Sequence, residues 1–185
     1  MSKASKTALG GMATALSVVV LLLSAIDVLS ITAAAAAGMI TLFCVIEISK
    51  GWAFGVYAAS AIIGFLVVPN KEGALLYIAF FGYYPIIKGL IEGKIKNRVL
   101  EYLLKFLIYN AAIFAAEYIL FKVMNVPLTE FLDVKEGSWL SQHIIPVFFV
   151  LLNLIFVPLD YLYTAVATMY LNRYQKIFRK VFKFR

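Results

Sequence analysis

"FFGYYPIIKGLIEGK", residues 80–94, lies near the middle of an apolar chain and passes from paired phenylalanines through Gly-Tyr-Tyr-Pro into a Lys/Glu-rich end. In water such a stretch reads as a loop carrying a ligand or catalytic site. In lipid it reads as a helix that bends and then leaves the bilayer. Composition decides between the two. Of the 185 residues, 63% are hydrophobic and 15% charged, against roughly 45–50% and about 25% in soluble domains. A soluble fold of this length cannot hide that much apolar surface, whereas lipid covers it. The expectation is an all-α, multi-pass membrane protein with one domain over residues 1–185.

A membrane helix needs about 20 mostly apolar residues. Six such stretches can be drawn, at 7–30, 31–49, 52–68, 73–91, 100–124 and 142–171. Lys3 and Lys6 ahead of the first stretch loosely imitate a signal peptide, but the apolar run is too long for one and is expected to stay as the first helix. The five alanines 33–37 offer a neighbouring backbone close approach. Residues 172–185, "NRYQKIFRKVFKFR", read as a basic amphipathic tail lying in the interface.

Cytoplasmic loops collect Lys and Arg. With the N-terminus inside, the inner side receives fourteen of the seventeen cations, and only Lys71, Lys122 and Lys135 fall outside. Six spans with both termini cytoplasmic, in the cell membrane, is the expected topology. The net charge of +7 then marks topology and attraction to anionic lipid, with no nucleic-acid partner expected.

Ionisable side chains within spans are expensive and often functional. Asp27 falls near the outer end of the first helix, where water is close. Glu47, three residues before Lys50, reads as half of an interfacial ion pair. Glu117 falls well inside the apolar layer and is expected to face the interior or a cavity. Asp160 follows Pro158, which deprives the Leu154 carbonyl of its helix partner. Asn110 and Asn153, deep in the last two helices, either bond across helices or read a polar solute. Trp139, Gln142 and His143 fall at the outer mouth, as an entrance or as an interfacial aromatic belt. One histidine and one cysteine, Cys44, give no metal-ligand cluster and no internal disulfide. The chain contains no HExxH, GxSxG or glycine-rich phosphate loop, so no catalytic residues and no cofactor are expected.

In "MSKASKTALGGMATALSVVV" the small residues Ala4, Ala8, Gly11 and Ala15 are spaced to share one helix face, either for internal packing or for a partner. Six spans in a short chain and this Ala-x-x-x-Ala first helix resemble the S components of energy-coupling-factor (ECF) transporters. The resemblance implies a solute-binding subunit for a vitamin-like organic micronutrient, working with a transmembrane coupling subunit and two cytoplasmic ATPases. It implies that Ala4 and Ala8, extended by Gly11 and Ala15, meet the coupling subunit. It further implies a solute in the outer half, among Tyr77, Asn110, Glu117, Trp139, Gln142, His143 and Asn153. The N-terminal histidine segment of metal-specific members is absent, which disfavours a metal solute. A second resemblance, in size and span count, is to a non-transporting membrane scaffold of the MreD type.

The opening stretch then falls at mid-membrane. Pro85 has no N–H for the Phe81 carbonyl, so the fourth helix should bend there, with Lys88 snorkelling to the inner surface. The two tyrosines either cushion the kink or floor a solute pocket.

Overall fold

A computed structural model describes residues 2–69, 71–118, 137 and 139–181, and all regular structure among them is helical. In chain order the helices are α1 Lys3–Leu22, α2 Ser30–Glu47, α3 Lys50–Val67, α4 Lys71–Leu76, α5 Tyr84–Lys94, α6 Arg98–Tyr118, α7 Trp139–Gln142, α8 Ile144–Met169 and α9 Gln175–Val181. Among the described residues, five segments are long and apolar enough to cross a membrane: Lys3–Ala25, Ser30–Glu47, Lys50–Val67, Gly73–Lys94 and Phe149–Lys180. The remaining expected span, 100–124, is described only as far as α6, which is more polar, carrying Arg98, Glu101, Lys105, Asn110 and Glu117. The chain divides into two compact units, one of Met1–Lys105 with Tyr163–Arg185 and one of Phe106–Leu162.

In the first unit α2 is the hub, packing against α1, α3, α4 and α5. Its composition explains why. Ala33, Ala34, Ala37, Gly38 and Thr41 are all buried, so neighbouring backbones close on α2 over small side chains. The helices turn large apolar groups outward, with Met12, Val19, Ile62 and Leu66 each more than half exposed, as lipid-facing surfaces require. Polar ends are capped locally. The Ser2 hydroxyl accepts from the Ser5 N–H at 3.1 Å. Lys71 Nζ donates to the Phe65 and Val68 carbonyls at 2.7 and 2.8 Å, filling acceptors left open at the end of α3.

At the place where Pro85 was expected to bend the fourth helix, the α-helical bonding is interrupted, and over more residues than one proline affects. Between α4 and α5 the chain makes a π-helical turn over Tyr77–Phe81, with the Gly82 N–H bonded to the Tyr77 carbonyl at 2.8 Å. That shift, together with the missing proline N–H, leaves carbonyls of this helix without their usual donors. An unsatisfied backbone group in lipid costs several kcal/mol. Two tyrosines from other helices supply donors. Tyr57 of α3 donates to the Ile78 carbonyl at 2.8 Å, and Tyr163 of α8 donates to the Phe81 carbonyl, the one Pro85 cannot serve, at 3.2 Å. Tyr77 shares a hydrogen bond with Thr41 of α2 at 3.1 Å, and Tyr84 packs on Tyr163 with ring centroids 5.6 Å apart. The break is thus held by a cluster of tyrosines.

Two expectations about charged residues are corrected. Lys88 does not snorkel: it is 3% exposed and its Nζ lies 2.6 Å from Glu92 Oε1. Glu47 does not pair with Lys50. Its carboxylate, 1% exposed, receives Arg179 Nε at 3.1 Å and Gln175 Nε2 at 2.9 Å, while Lys50 extends along α5 beside Gly89 and Gly93. The expected tail accordingly begins as a helix docked on α2. Phe43 meets Tyr170 and Phe178 edge-on, at 5.5 and 5.0 Å between centroids.

Candidate functional site

In the second unit α6 and α8 are joined by aromatic packing and one amide pair. Phe156, 1% exposed, stacks on Tyr109 at 4.5 Å and meets Phe106 edge-on at 4.8 Å. The Tyr109 hydroxyl donates to the Leu152 carbonyl at 2.8 Å. Asn110 and Asn153 face each other: each Nδ2 donates to the other's Oδ1 at 3.0 Å. The second hydrogen of each amide goes back along its own helix, to the Phe106 and Phe149 carbonyls, both at 2.9 Å. All four amide hydrogens are therefore used inside the protein, and each Oδ1 keeps one lone pair.

This pair lies in an open groove of about 910 Å³. Phe106, Phe114 and Phe149 wall it, and Leu154 and Pro158 also line it. The only polar side chains in this lining are the two asparagines, and with their amide hydrogens spent they offer acceptor capacity alone. The groove fits a largely apolar ligand that brings its own hydrogen-bond donor.

The amide pair makes a sharp prediction about its own strength. Replacing either asparagine by alanine leaves the other amide half-satisfied, whereas replacing both removes the need. In a double-mutant cycle read by detergent unfolding, the coupling between N110A and N153A should be about 0.6–2 kcal/mol, the range of interhelical hydrogen bonds in membranes. Strictly additive losses would mean that the pair is not made.

The other expected solute residues are distributed as follows. Trp139 and His143 stack at 4.8 Å between centroids and 21° between planes, His143 Nδ1 lies 3.1 Å from the Trp139 carbonyl, and Trp139, Gln142 and His143 are all exposed. Tyr77 belongs to the first unit, fully buried and tied to Thr41; it serves the helix break. Glu117 falls in α6, but its side chain, like that of Asp27, lies outside the described residues. Asp160 is 4% exposed and partnered. Among the described residues, no three His, Cys, Asp or Glu side chains converge as a metal site would need.

The α1 stripe is sorted cleanly. Leu9, Gly10, Ala13, Ser17 and Leu21 are buried, and α1 packs on α2 and α3. Ala4, Ala8, Gly11 and Ala15 lie on the opposite face and are all exposed; a Cβ built on Gly11 meets nothing within 4 Å. The stripe is not spent on packing within the described chain. A second small-residue pair went unnoticed in the sequence: Gly51 and Gly55, one turn apart on α3, are exposed with equally open surroundings. Their Gly-x-x-x-Gly spacing was the available signal.

Sequence reasoning also missed an ionic network around two buried lysines in the first unit. Lys105, 1% exposed, reaches Glu92 Oε1 at 2.7 Å and Glu101 Oε1 at 2.6 Å, and Lys88 shares Glu92. Through Glu92, shared by Lys88 and Lys105, α5 is tied to the start of α6. Against protein-family models, curated proteins and solved structures, the chain finds no match.

Proposed function

We propose that this chain is the solute-binding subunit of an ATP-driven uptake transporter of the ECF type, embedded in the cell membrane by six spans with both ends in the cytoplasm. The observation that carries the reading is the outward stripe of Ala4, Ala8, Gly11 and Ala15. Small side chains on a lipid-facing surface contribute little to their own helix bundle, yet they allow another helix to approach at backbone distance. A transmembrane coupling subunit, energised by two cytoplasmic ATPases, is the partner that fits such a face. The groove beside Asn110 and Asn153 supports the solute-binding half of the reading, with Trp139, Gln142 and His143 at the outer mouth. A vitamin-like organic micronutrient suits its aromatic walls and acceptors; no catalytic role is assigned.

Ala8→Trp and Gly11→Trp test the docking face directly. Both positions are exposed, so the fold should tolerate the bulk and thermal stability should stay within about 0.5 kcal/mol. Co-purification with an ATPase-bearing complex should fall at least about tenfold, the equivalent of about 1.4 kcal/mol. Undiminished co-purification would remove the basis of the proposal.

The saturated amide pair favours a second reading, a non-transporting scaffold of the MreD type, in which Asn110 and Asn153 serve only as an interhelical clasp. Mass spectrometry of the gently purified protein separates the two. A stoichiometric small organic molecule supports transport; membrane-protein partners without any small molecule support the scaffold.

A further inference from the structure

From Tyr161 to the end the chain has six basic residues and no acid. The last apolar segment, Phe149–Lys180, is 32 residues long, or about 48 Å at about 1.5 Å per residue. The hydrocarbon core is only about 30 Å thick, so the last third of this segment belongs at a bilayer surface.

The rotation of the tail about its axis is set by what it docks on. The Glu47 carboxylate sits at the C-terminal end of α2, where the helix dipole disfavours negative charge. It is answered from the tail by Gln175 and Arg179. Phe43 adds its contacts with Tyr170 and Phe178. With those side chains turned inward, the rest of the helix faces away. Arg173, Lys176 and Lys180 are exposed, and so are Leu171, Tyr174 and Ile177, at 44%, 45% and 60%. At about 100° per residue, Lys176 and Lys180 share one flank of the helix, and Tyr174 and Ile177 share the next. A basic flank beside an apolar one, on a helix fixed where a span ends, is the chemistry of a segment that sinks its apolar side among acyl chains and keeps cations at headgroup depth.

We propose that the docked tail is a binding site for anionic phospholipid, with Arg173, Lys176 and Lys180 holding the headgroups and Leu171, Tyr174 and Ile177 against the acyl chains. Arg179 is committed to Glu47 and positions the site without contributing to it. The inference stands apart from the transport reading, since it needs neither a solute nor a coupling partner.

The test uses the full chain in detergent, titrated with dioleoylphosphatidylglycerol or dioleoylphosphatidylcholine, with bound lipids counted by native mass spectrometry. The unaltered protein should bind the anionic lipid at least about tenfold more tightly, given that each basic residue near an anionic surface contributes roughly fivefold. Arg173→Gln, Lys176→Gln and Lys180→Gln together should abolish that preference with no loss of thermal stability. Lys94→Gln with Lys96→Gln, at exposed positions elsewhere, should retain it. Equal binding of the two lipids, or a preference that survives the triple change, overturns the proposal. So does displacement of the lipid by equimolar glycerophosphoglycerol, which would assign the basic flank to soluble anions. An acidic protein retained by the unaltered chain but not by the triple variant, without any lipid preference, would make the flank a protein-docking surface and overturn it equally.

Discussion

Gly38→Ala should destabilise this protein by about 2–6 kcal/mol, although alanine is the better helix former by about 1 kcal/mol. The sign is reversed by what lies opposite Gly38. A Cβ placed there would sit 2.5 Å from the Phe81 carbonyl oxygen and 2.5 Å from the Tyr163 hydroxyl. The first of these is backbone and cannot swing aside. The second is the donor that serves the Phe81 carbonyl in place of the proline-blocked N–H. Overpacking of this kind costs about 1–3 kcal/mol, and a buried carbonyl stripped of its donor adds about 1–3 kcal/mol. At about 2–4 °C per kcal/mol for a chain of this size, the apparent melting temperature in detergent should fall by several degrees at least. Tyr163→Phe isolates the second contribution and should cost about half as much. If Gly38→Ala melts at or above the unaltered protein, α2 does not approach the broken helix as described.

Lys105→Met should cost at most about 3–5 kcal/mol, the range for removing one partner of a buried ion pair, and less to the extent that Glu92 and Glu101 reach water. The expectation rests on burial: Lys105 is 1% exposed, and two of its acceptors, Glu92 and Glu101, are 38% and 18% exposed in their side chains. After the change Glu92 keeps Lys88, but Glu101 loses the cation 2.6 Å away while staying largely shielded from solvent. Lys105→Met combined with Glu101→Gln should therefore recover a large part of the loss, because an amide can remain there uncharged. Chemical or thermal unfolding of both variants in one detergent gives the comparison. A single variant within about 0.5 kcal/mol of the unaltered chain would show that the lysine is solvated and that α5 and α6 are held by packing alone.

The chemistry of the groove also bears on how the asparagines should be read. Buried polar side chains in membrane helices invite a functional reading. Here all four amide hydrogens are consumed by the partner amide and by the preceding helical turn. What is left for a ligand is acceptor capacity, so a solute that engages this site must be the donor. A carboxylate, which brings only acceptors at neutral pH, matches it poorly.

Much of this organisation was present in local sequence. Apolar content alone pointed to helices shielded by something other than water. Among the described residues the helices form close to where the 20-residue stretches placed them, five of the segments being long and apolar enough to span. Pro85 marked the break in the fourth helix because a missing N–H is a property of one residue. The four-three-four spacing of Ala4, Ala8, Gly11 and Ala15 defined a face, since helical periodicity is local too. Which face turns outward was not local: it depended on α2 and α3 covering the other side. The same holds for the donors that satisfy the broken helix, supplied by Tyr57 and by Tyr163, the latter 82 positions from its carbonyl. It holds for Glu47, whose nearest cation in sequence is Lys50 and whose actual partner, Arg179, is 132 positions away. A sequence determines how much each residue gains by leaving water and how its own backbone can bond. Only the packed helices determine which side chains arrive beside it, because a polar group in an apolar medium takes the partner that the helix arrangement delivers.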